Sequence, residues 1–87
     1  MARRETEAGD APGRSALHEA ALASLGRRAM TAATLTQALQ RRIATWARRA
    51  QRAGRAEDEI AEGVARAREH VAQVVARLIE VGLVNDA

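Results

Sequence analysis

Apolar residues recur at intervals of three and four positions through three stretches of the chain. This period places one apolar stripe on each of three α-helices, with polar residues on the opposite faces. The predicted helices cover residues 16–28, 32–53 and 57–81. No stretch alternates apolar and polar residues with the period of two that strands show. The predicted fold class is therefore all-α, with three helices around one shared core.

The first predicted helix has Ser15 as its N-cap, because a serine hydroxyl accepts a hydrogen bond from the first helical turn. Gly26 weakens its last turn. Its predicted apolar stripe consists of Leu17, Ala21, Leu22 and Leu25.

The second predicted helix begins after Thr31, a favourable N-cap residue. Met30 and Leu35 occupy the two positions of a hydrophobic staple across that cap. The turn from the first helix is very short, so the two helices must pack at an angle. Gly54 ends the helix. Its predicted stripe consists of Leu35, Leu39, Ile43, Trp46 and Ala50.

Glu57 and Asp58 suit the start of the third helix, since acidic side chains interact favourably with a helix N-terminus. Gly63 is a candidate break within the helix. Gly82 predicts its end, in a left-handed turn that glycine adopts at low cost. The predicted stripe consists of Ile60, Val64, Ala67, Val71, Val74, Leu78 and Val81.

The residues after the third helix predict an exposed apolar end. Leu83 and Val84 can fold back onto the last helical turn. Asn85 and Asp86 are N-cap residues and predict the start of a further helix, although the sequence ends one residue later. We therefore expect one unit of a tandem three-helix array. Self-association is expected through the exposed residues Val81, Leu83 and Val84.

The first 14 residues mix charges with Gly9, Pro12 and Gly13 and have no apolar periodicity. We predict a disordered tail over residues 1–14 and one three-helix unit over residues 15–87. Much of the 47% apolar content is alanine, which buries little area, so the core is expected to be marginal.

No run approaches the ~20 apolar residues that a membrane-spanning helix needs. The N-terminus has charged residues but no apolar segment behind them, so it does not match a secretory signal. The absence of cysteine excludes disulfides and thiolate metal sites. We expect a cytoplasmic protein that has no membrane partner.

Charge is distributed unevenly, and every basic residue is an arginine. Residues 1–55 contain eleven arginines and four acids, a net +7, whereas residues 56–87 contain three arginines and seven acids, a net −4. The two values sum to the net charge of +3. This asymmetry predicts either an acidic partner for the first half, such as nucleic acid or an acidic protein face, or pairing between the halves.

The candidate partner-binding residues are arginines at the end of the first helix and on the outer side of the second. A basic helical face is typical of proteins that bind a phosphate backbone. The alternative is a solvated surface, partly paired with the acids Glu57, Asp58, Glu59 and Glu62. The candidates are Arg27, Arg28, Arg41, Arg42, Arg48, Arg49 and Arg52.

The other residues that carry chemistry indicate no reaction. His18 and His70 lie on different predicted helices, and neither has an acid or histidine at a metal-binding spacing. There is no glycine-rich phosphate loop and no set of residues typical of nucleophilic catalysis. Trp46 lies on an apolar stripe, which favours a core role over stacking on a partner. We therefore predict no catalytic, cofactor-binding or metal site, no cofactor and no enzymatic activity.

Three features resemble the regulatory protein RecX family, over about residues 16–87. The first is a helix with spaced leucines and Arg27-Arg28, followed by the Met30-Thr31 cap and a second helix with Leu35 and Leu39. The second is the arginine-rich stretch RRIATWARR at residues 41–49, which is similar to the lengthened second helix of some members. The third is VARLIEVGLVND at residues 75–86, which is similar to the family's apolar helix followed by Gly-Leu-Leu-Asp-Asp.

The resemblance implies binding rather than catalysis. RecX proteins consist of three tandem three-helix repeats, of which this chain resembles the first. They bind the recombinase RecA in the groove of its filament on DNA, and they restrain strand exchange and coprotease activity. The implied function is regulation of recombination and DNA repair in the SOS response. The implied partner is the RecA filament. The arginines of the first two helices are the candidate contacts for it, and the basic face itself makes the DNA phosphate backbone a second candidate partner.

Three alternatives remain open. The tight turn at Arg28–Thr31 resembles a helix-turn-helix corner, which favours a small DNA-binding module. Against that alternative, the second helix is expected to offer few base-reading side chains such as Asn or Gln. The long third helix is compatible with a homodimer. The chain is also compatible with a truncated fragment that has no activity of its own.

Overall fold

A computed structural model describes residues 9–85 of the chain. Three helices follow one another along these residues: α1 (Arg14–Arg27), α2 (Ala32–Arg52) and α3 (Glu57–Glu80). The only β contact among the described residues is an isolated parallel bridge between Thr31 and Asn85. The predicted all-α class with three helices is therefore confirmed.

The three helices share one apolar core. All five residues of the predicted α2 stripe are buried, and so are six positions of α3. Full burial of one leucine or valine contributes about 1.5–3 kcal/mol, so this stripe supplies much of the stability of the fold. The buried residues of the core cluster are Leu17, Ala20, Ala21, Leu35, Leu39, Ile43, Ala67, Val71, Val74, Val75, Leu78 and Val84.

Helix α1 differs from its prediction in two ways. It begins at Arg14, and its N-cap is Gly13, which has no side chain to accept a hydrogen bond. The prediction of Ser15 as N-cap is therefore wrong. The prediction that Leu22 faces the core is also wrong, because Leu22 is 41% exposed. Ala20 and Ser24 are buried instead, since they share a face with Leu17, whereas Leu22 lies about 100° further around the helix than Ala21.

Helix α2 has the predicted N-cap. The Thr31 hydroxyl accepts a hydrogen bond from the Thr34 backbone N–H at 3.1 Å, which satisfies one of the free donors of the first turn. Met30, one member of the predicted staple, is partly buried against the core.

Helix α3 is continuous through Gly63, which settles a point that the sequence left open. Gly63 is buried, and a Cβ at this position would lie 2.7 Å from Cη2 of Trp46. The missing side chain lets the indole ring approach the helix backbone. The packing gained by this approach outweighs the low helix propensity of glycine.

The end of α3 has the hydrogen bonds of a Schellman motif. Gly82 has φ +82°, and its N–H donates to the Ile79 carbonyl at 3.0 Å. The Leu83 N–H donates to the Leu78 carbonyl at 2.9 Å. Gly82 therefore ends the helix as predicted, because its left-handed conformation lets the chain turn back over the last turn.

The residues after α3 fold back and contact the start of α2. Val84 is only 6% exposed, so its predicted exposure is wrong, whereas Val81 and Leu83 are 50% and 55% exposed. The Asn85 carbonyl accepts a hydrogen bond from the Ala32 N–H at 2.9 Å and so satisfies another donor at the start of α2. The predicted start of a further helix at Asp86 lies outside the described residues.

Residues 9–13 are the described part of the predicted disordered tail. The structure places them against α2 and α3, because Ala11 is partly buried against the core and Gly9 accepts hydrogen bonds from two side chains. Residues 9–13 therefore contact the helices, and the disordered tail stays a prediction. The prediction for residues 1–8 lies outside the described residues. None of the helices in residues 9–85 is long and apolar enough to span a membrane.

Thr31 and Ser15 were both predicted as N-caps, and replacing each with alanine is now expected to change the free energy of unfolding by different amounts. We expect Thr31→Ala to lower the free energy of unfolding by about 1 kcal/mol, because the Thr34 N–H loses its acceptor. Ser15→Ala is the matched control, and it is expected to change stability by less than about 0.5 kcal/mol, since Ser15 is exposed and caps no helix. Urea denaturation of both variants measures the difference. Equal losses would contradict the cap assignment.

Candidate anion-binding face

Helix α2 presents a cluster of arginines on one side. At 100° per residue, they occupy an arc of about 120° that lies beside the buried stripe without overlapping it. Every member is exposed, as the sequence predicted. The arginine face of α2 consists of Arg41, Arg42, Arg48, Arg49 and Arg52.

Three members of the arginine face form a row along the helix axis. Arg41, Arg48 and Arg52 lie within about 40° of one another in helical angle. With a rise of 1.5 Å per residue, the row is about 16 Å long. Because α2 is anchored by its buried stripe, this row holds its positive charge on a fixed axis.

The arginine face is not neutralised by neighbouring acids. Among residues 9–85, the ion pairs between arginine and an acid are Arg55–Glu59 at 3.8 Å and Arg77–Glu80 at 2.8 Å. Neither pair involves the arginine face. One weak hydrogen bond does, from Arg48 Nη2 to Thr45 Oγ1 at 3.5 Å. Among the described residues, the arginine face therefore has no ion pair with the acids at the start of α3, and a solvated arginine surface stays the alternative to a binding face.

The structure separates the seven candidate arginines into two groups. Arg27 and Arg28 are exposed at the end of α1, next to the start of α2. Thr31 and Arg41 are ten residues apart, which corresponds to about 15 Å along the helix axis. Arg27 and Arg28 therefore lie beyond one end of the arginine face and do not belong to its row.

A groove runs beside the arginine face. It has a volume of about 560 Å³ and lies between residues 9–13, the start of α1 and α2. We call residues 9–13 the N-terminal strap. Three arginines of the face line the groove together with Asp10, Pro12 and Trp46. Trp46 is 8% exposed, which confirms its predicted core role. The groove-lining arginines are Arg41, Arg42 and Arg49.

A second, smaller cavity of about 310 Å³ lies on the other side of the strap. Its charged lining residues come from the strap, the loop before α3, and α3 itself. The Nδ1 atom of His70 is buried there and has no hydrogen-bond partner in residues 9–85. The charged and histidine lining residues are Asp10, Arg55, Glu59, Arg66 and His70.

Sequence analysis missed the role of Arg55. Its guanidinium donates to the Gly9 carbonyl and lies 5.8 Å from the centroid of the Trp46 ring, within the range of a cation–π contact. Arg55 lies in a short loop, so no periodicity identified it. A sequence signal existed only for its neighbour Trp46, because Gly63 on the apolar face of α3 indicates that a bulky group approaches closely.

The chemistry of these side chains is that of binding. Guanidinium groups offer a fixed fork of donors to phosphates and carboxylates. No group of three or more His, Asp or Glu side chains within residues 9–85 is placed to hold a metal ion. His18 and His70 lie on separate helices, α1 and α3.

Comparisons with protein-family models, with curated proteins and with solved structures found no match for the chain. The resemblance to the RecX family therefore stays a prediction that depends on the order of sequence motifs.

Proposed function

We propose that the arginine face of α2 binds a polyanionic partner and that this partner is the RecA filament on DNA. In this proposal, the protein restrains strand exchange and coprotease activity by occupying the filament. One observation carries the proposal: five exposed arginines lie on one rigid helix with no acidic partner among residues 9–85. The choice of the filament comes from the RecX-like order of sequence motifs.

An unpaired arginine row is suited to phosphate binding for two reasons. The guanidinium group is weakly hydrated, so less solvation is lost when it contacts a phosphate. Neutralising phosphates also releases the counterions condensed on the nucleic acid, which drives binding at low salt. If acids covered the row, each contact would first require an intramolecular ion pair to break.

The shape of the described chain fits a contact along a groove. Its extents are 42 × 22 × 16 Å, so it is a short rod. The arginine row runs along α2 rather than across it, which directs the positive charge along the side of the rod. A partner with phosphates spaced along a line could therefore contact several arginines at once.

The proposal is tested by adding the protein to RecA-catalysed strand exchange and to DNA-dependent ATP hydrolysis by RecA. We expect both activities to fall as the protein concentration rises. The matched control is the double variant R48Q/R52Q, which removes two charges of the row and should restore most of the activity. Unchanged RecA activity at saturating protein would contradict the proposal.

Direct DNA recognition is the second candidate, and one observation favours it. Three glutamines are exposed on α2 beside the arginine row. A glutamine amide can pair with the edge of adenine in the major groove. Titration of duplex DNA without RecA separates the candidates, since direct recognition predicts different affinities for different sequences. The glutamines are Gln37, Gln40 and Gln51.

A further inference from the structure

The N-terminal strap is attached to the helices at few points. The Gly9 carbonyl accepts hydrogen bonds from Trp46 Nε1, at 3.3 Å, and from the Arg55 guanidinium. Ala11 is partly buried, and its Cβ lies 3.2 Å from the position that a Cβ on Gly63 would take. Asp10 and Gly13 are exposed. At the other end of the strap, the Gly13 carbonyl accepts a hydrogen bond from the Leu17 N–H at 3.0 Å and so joins the strap to α1. Residues 9–12 are held by the Gly9 carbonyl and by the partly buried Ala11 and Pro12.

The strap also divides a basic channel. Asp10, Pro12 and Trp46 line both the groove of about 560 Å³ and the cavity of about 310 Å³, so the strap forms the wall between the two. Arginines of α2 line the first space, and Arg55 and Arg66 line the second. Without the strap, the two spaces would join above Trp46 into one channel with arginines along its length.

Asp10 brings negative charge into this channel. Its side chain lines both spaces, yet it forms no ion pair with an arginine among residues 9–85. A phosphate that entered the groove would meet the Asp10 carboxylate, and like charges at close range repel. The strap and a bound polyanion therefore compete for the same space and for the same positive charge.

We propose that the strap is a regulatory cover, and that a polyanion bound at the arginine face displaces it. The inference rests on the proposed function. Displacement releases the Arg55 guanidinium from the Gly9 carbonyl and adds Arg55 and Arg66 to the contact surface. The proposal requires an uncovered minor state of the free protein, and minor states are ordinarily populated at about 0.1–10%. Binding must therefore first draw on this minor state, which lowers the apparent affinity.

Trp46 reports the position of the strap directly, since it is the only tryptophan of the chain and its indole N–H donates to the strap. The probe is inorganic polyphosphate, which has no bases to stack on the indole or quench its fluorescence. On saturation of the full chain, we expect the acrylamide quenching constant of Trp46 to rise at least about twofold. The single indole N–H signal in the NMR spectrum should also exchange faster with solvent. Unchanged or reduced quenching at saturation would overturn the cover.

A pair of deletions tests the effect on affinity. Removing residues 1–8 leaves the strap intact and removes two arginines and two acids, so the side-chain charge stays the same. Removing residues 1–11 also deletes most of the strap, and we expect polyphosphate to bind at least about tenfold tighter than to the first deletion, because the binding-competent state no longer has to be drawn from a minor population of about 10% or less. The full-length variant D10N measures the part of this gain that comes from the lost carboxylate alone. We expect its gain in affinity to be smaller than that of the longer deletion.

The outcomes separate the cover from the proposed function. Two outcomes would contradict the proposed cover and leave the proposed function standing. One is an equal polyphosphate affinity of the two deletions, and the other is a gain in affinity that D10N reproduces in full. If the full chain and both deletions bind neither polyphosphate nor DNA, the proposed function fails and the cover fails with it. If the longer deletion does not fold, the Trp46 quenching of the full chain decides.

Discussion

The double variant R48Q/R52Q is expected to bind DNA or the RecA filament on the order of 30- to 100-fold more weakly than the unaltered protein at about 0.05 M salt. Arg48 and Arg52 are neighbours, one helical turn apart on the exposed row, and neither is paired with an acid among residues 9–85. Each phosphate contact contributes about 0.9 to the slope of log K against log salt, so the slope should fall by about 1.8. Fluorescence anisotropy at several salt concentrations measures affinity and slope together.

Two control variants remove the same net charge elsewhere. R68Q/R77Q removes two exposed arginines of α3, and R27Q/R28Q removes the pair at the end of α1. Both are expected to weaken binding by no more than about threefold, because a distant charge acts only through the screened long-range field. The pair Arg77–Glu80 is exposed, so its loss should hardly change stability. If all three variants weaken binding equally, the effect is one of net charge and the arginine face is not the site.

Gly63→Ala is expected to destabilise the fold by about 1–3 kcal/mol, even though alanine favours helix over glycine. The added Cβ would lie 2.7 Å from Trp46 Cη2 and 3.1 Å from Cζ3. The ring cannot move away freely, because its N–H donates to the Gly9 carbonyl and Arg55 lies against its face. For a domain of this size, the melting temperature should fall by roughly 5–20 °C.

Gly26→Ala is the matched control for this prediction. Gly26 lies inside α1 with no heavy atom within 4 Å of an added Cβ. The substitution should therefore raise stability by up to about 1 kcal/mol, through helix propensity alone. Thermal unfolding followed by circular dichroism compares the two variants. A Gly63→Ala protein that melts as high as the unaltered one would show that Trp46 does not pack on the α3 backbone.

The parts of the fold that depend on local chemistry were predictable from sequence. The α2 stripe was correct at every position, because large apolar residues at helical spacing have one way to be buried together. The prediction of Thr31 as N-cap was correct, because its hydroxyl is an acceptor within reach of the Thr34 backbone N–H. The helix end predicted at Gly82 was correct, because the left-handed backbone conformation at a helix end favours glycine.

The errors fall where tertiary contacts outweigh local preference. In α1, many positions are alanine, so the apolar pattern is weak and Leu22 was assigned to the wrong face. Gly63 was taken for a weak point of α3, because its partner Trp46 is 17 residues away in sequence. The local pattern indicated that Leu83 and Val84 can fold back, but the burial of Val84 in the shared core and the contacts of the strap depend on distant elements.

The candidate site was predictable in part. Arginines on the outer side of α2 followed from the position of its buried stripe, and all five are exposed. Their separation from Arg27 and Arg28 could not be predicted, because it depends on the geometry of the α1–α2 turn. The groove could not be predicted, because the strap forms one of its sides. The position of the strap depends on a hydrogen bond from Arg55, and no sequence pattern indicates that role.

Binding to the RecA filament tests the central claim most directly. Labelled protein is titrated with RecA assembled on single-stranded DNA and, separately, with the same DNA alone. The proposal predicts saturable binding to the filament at least about tenfold tighter than to the naked DNA, and its loss in R48Q/R52Q. No binding to the filament, or equal binding by the unaltered protein and R48Q/R52Q, would contradict the arginine face of α2 as the surface that recognises it.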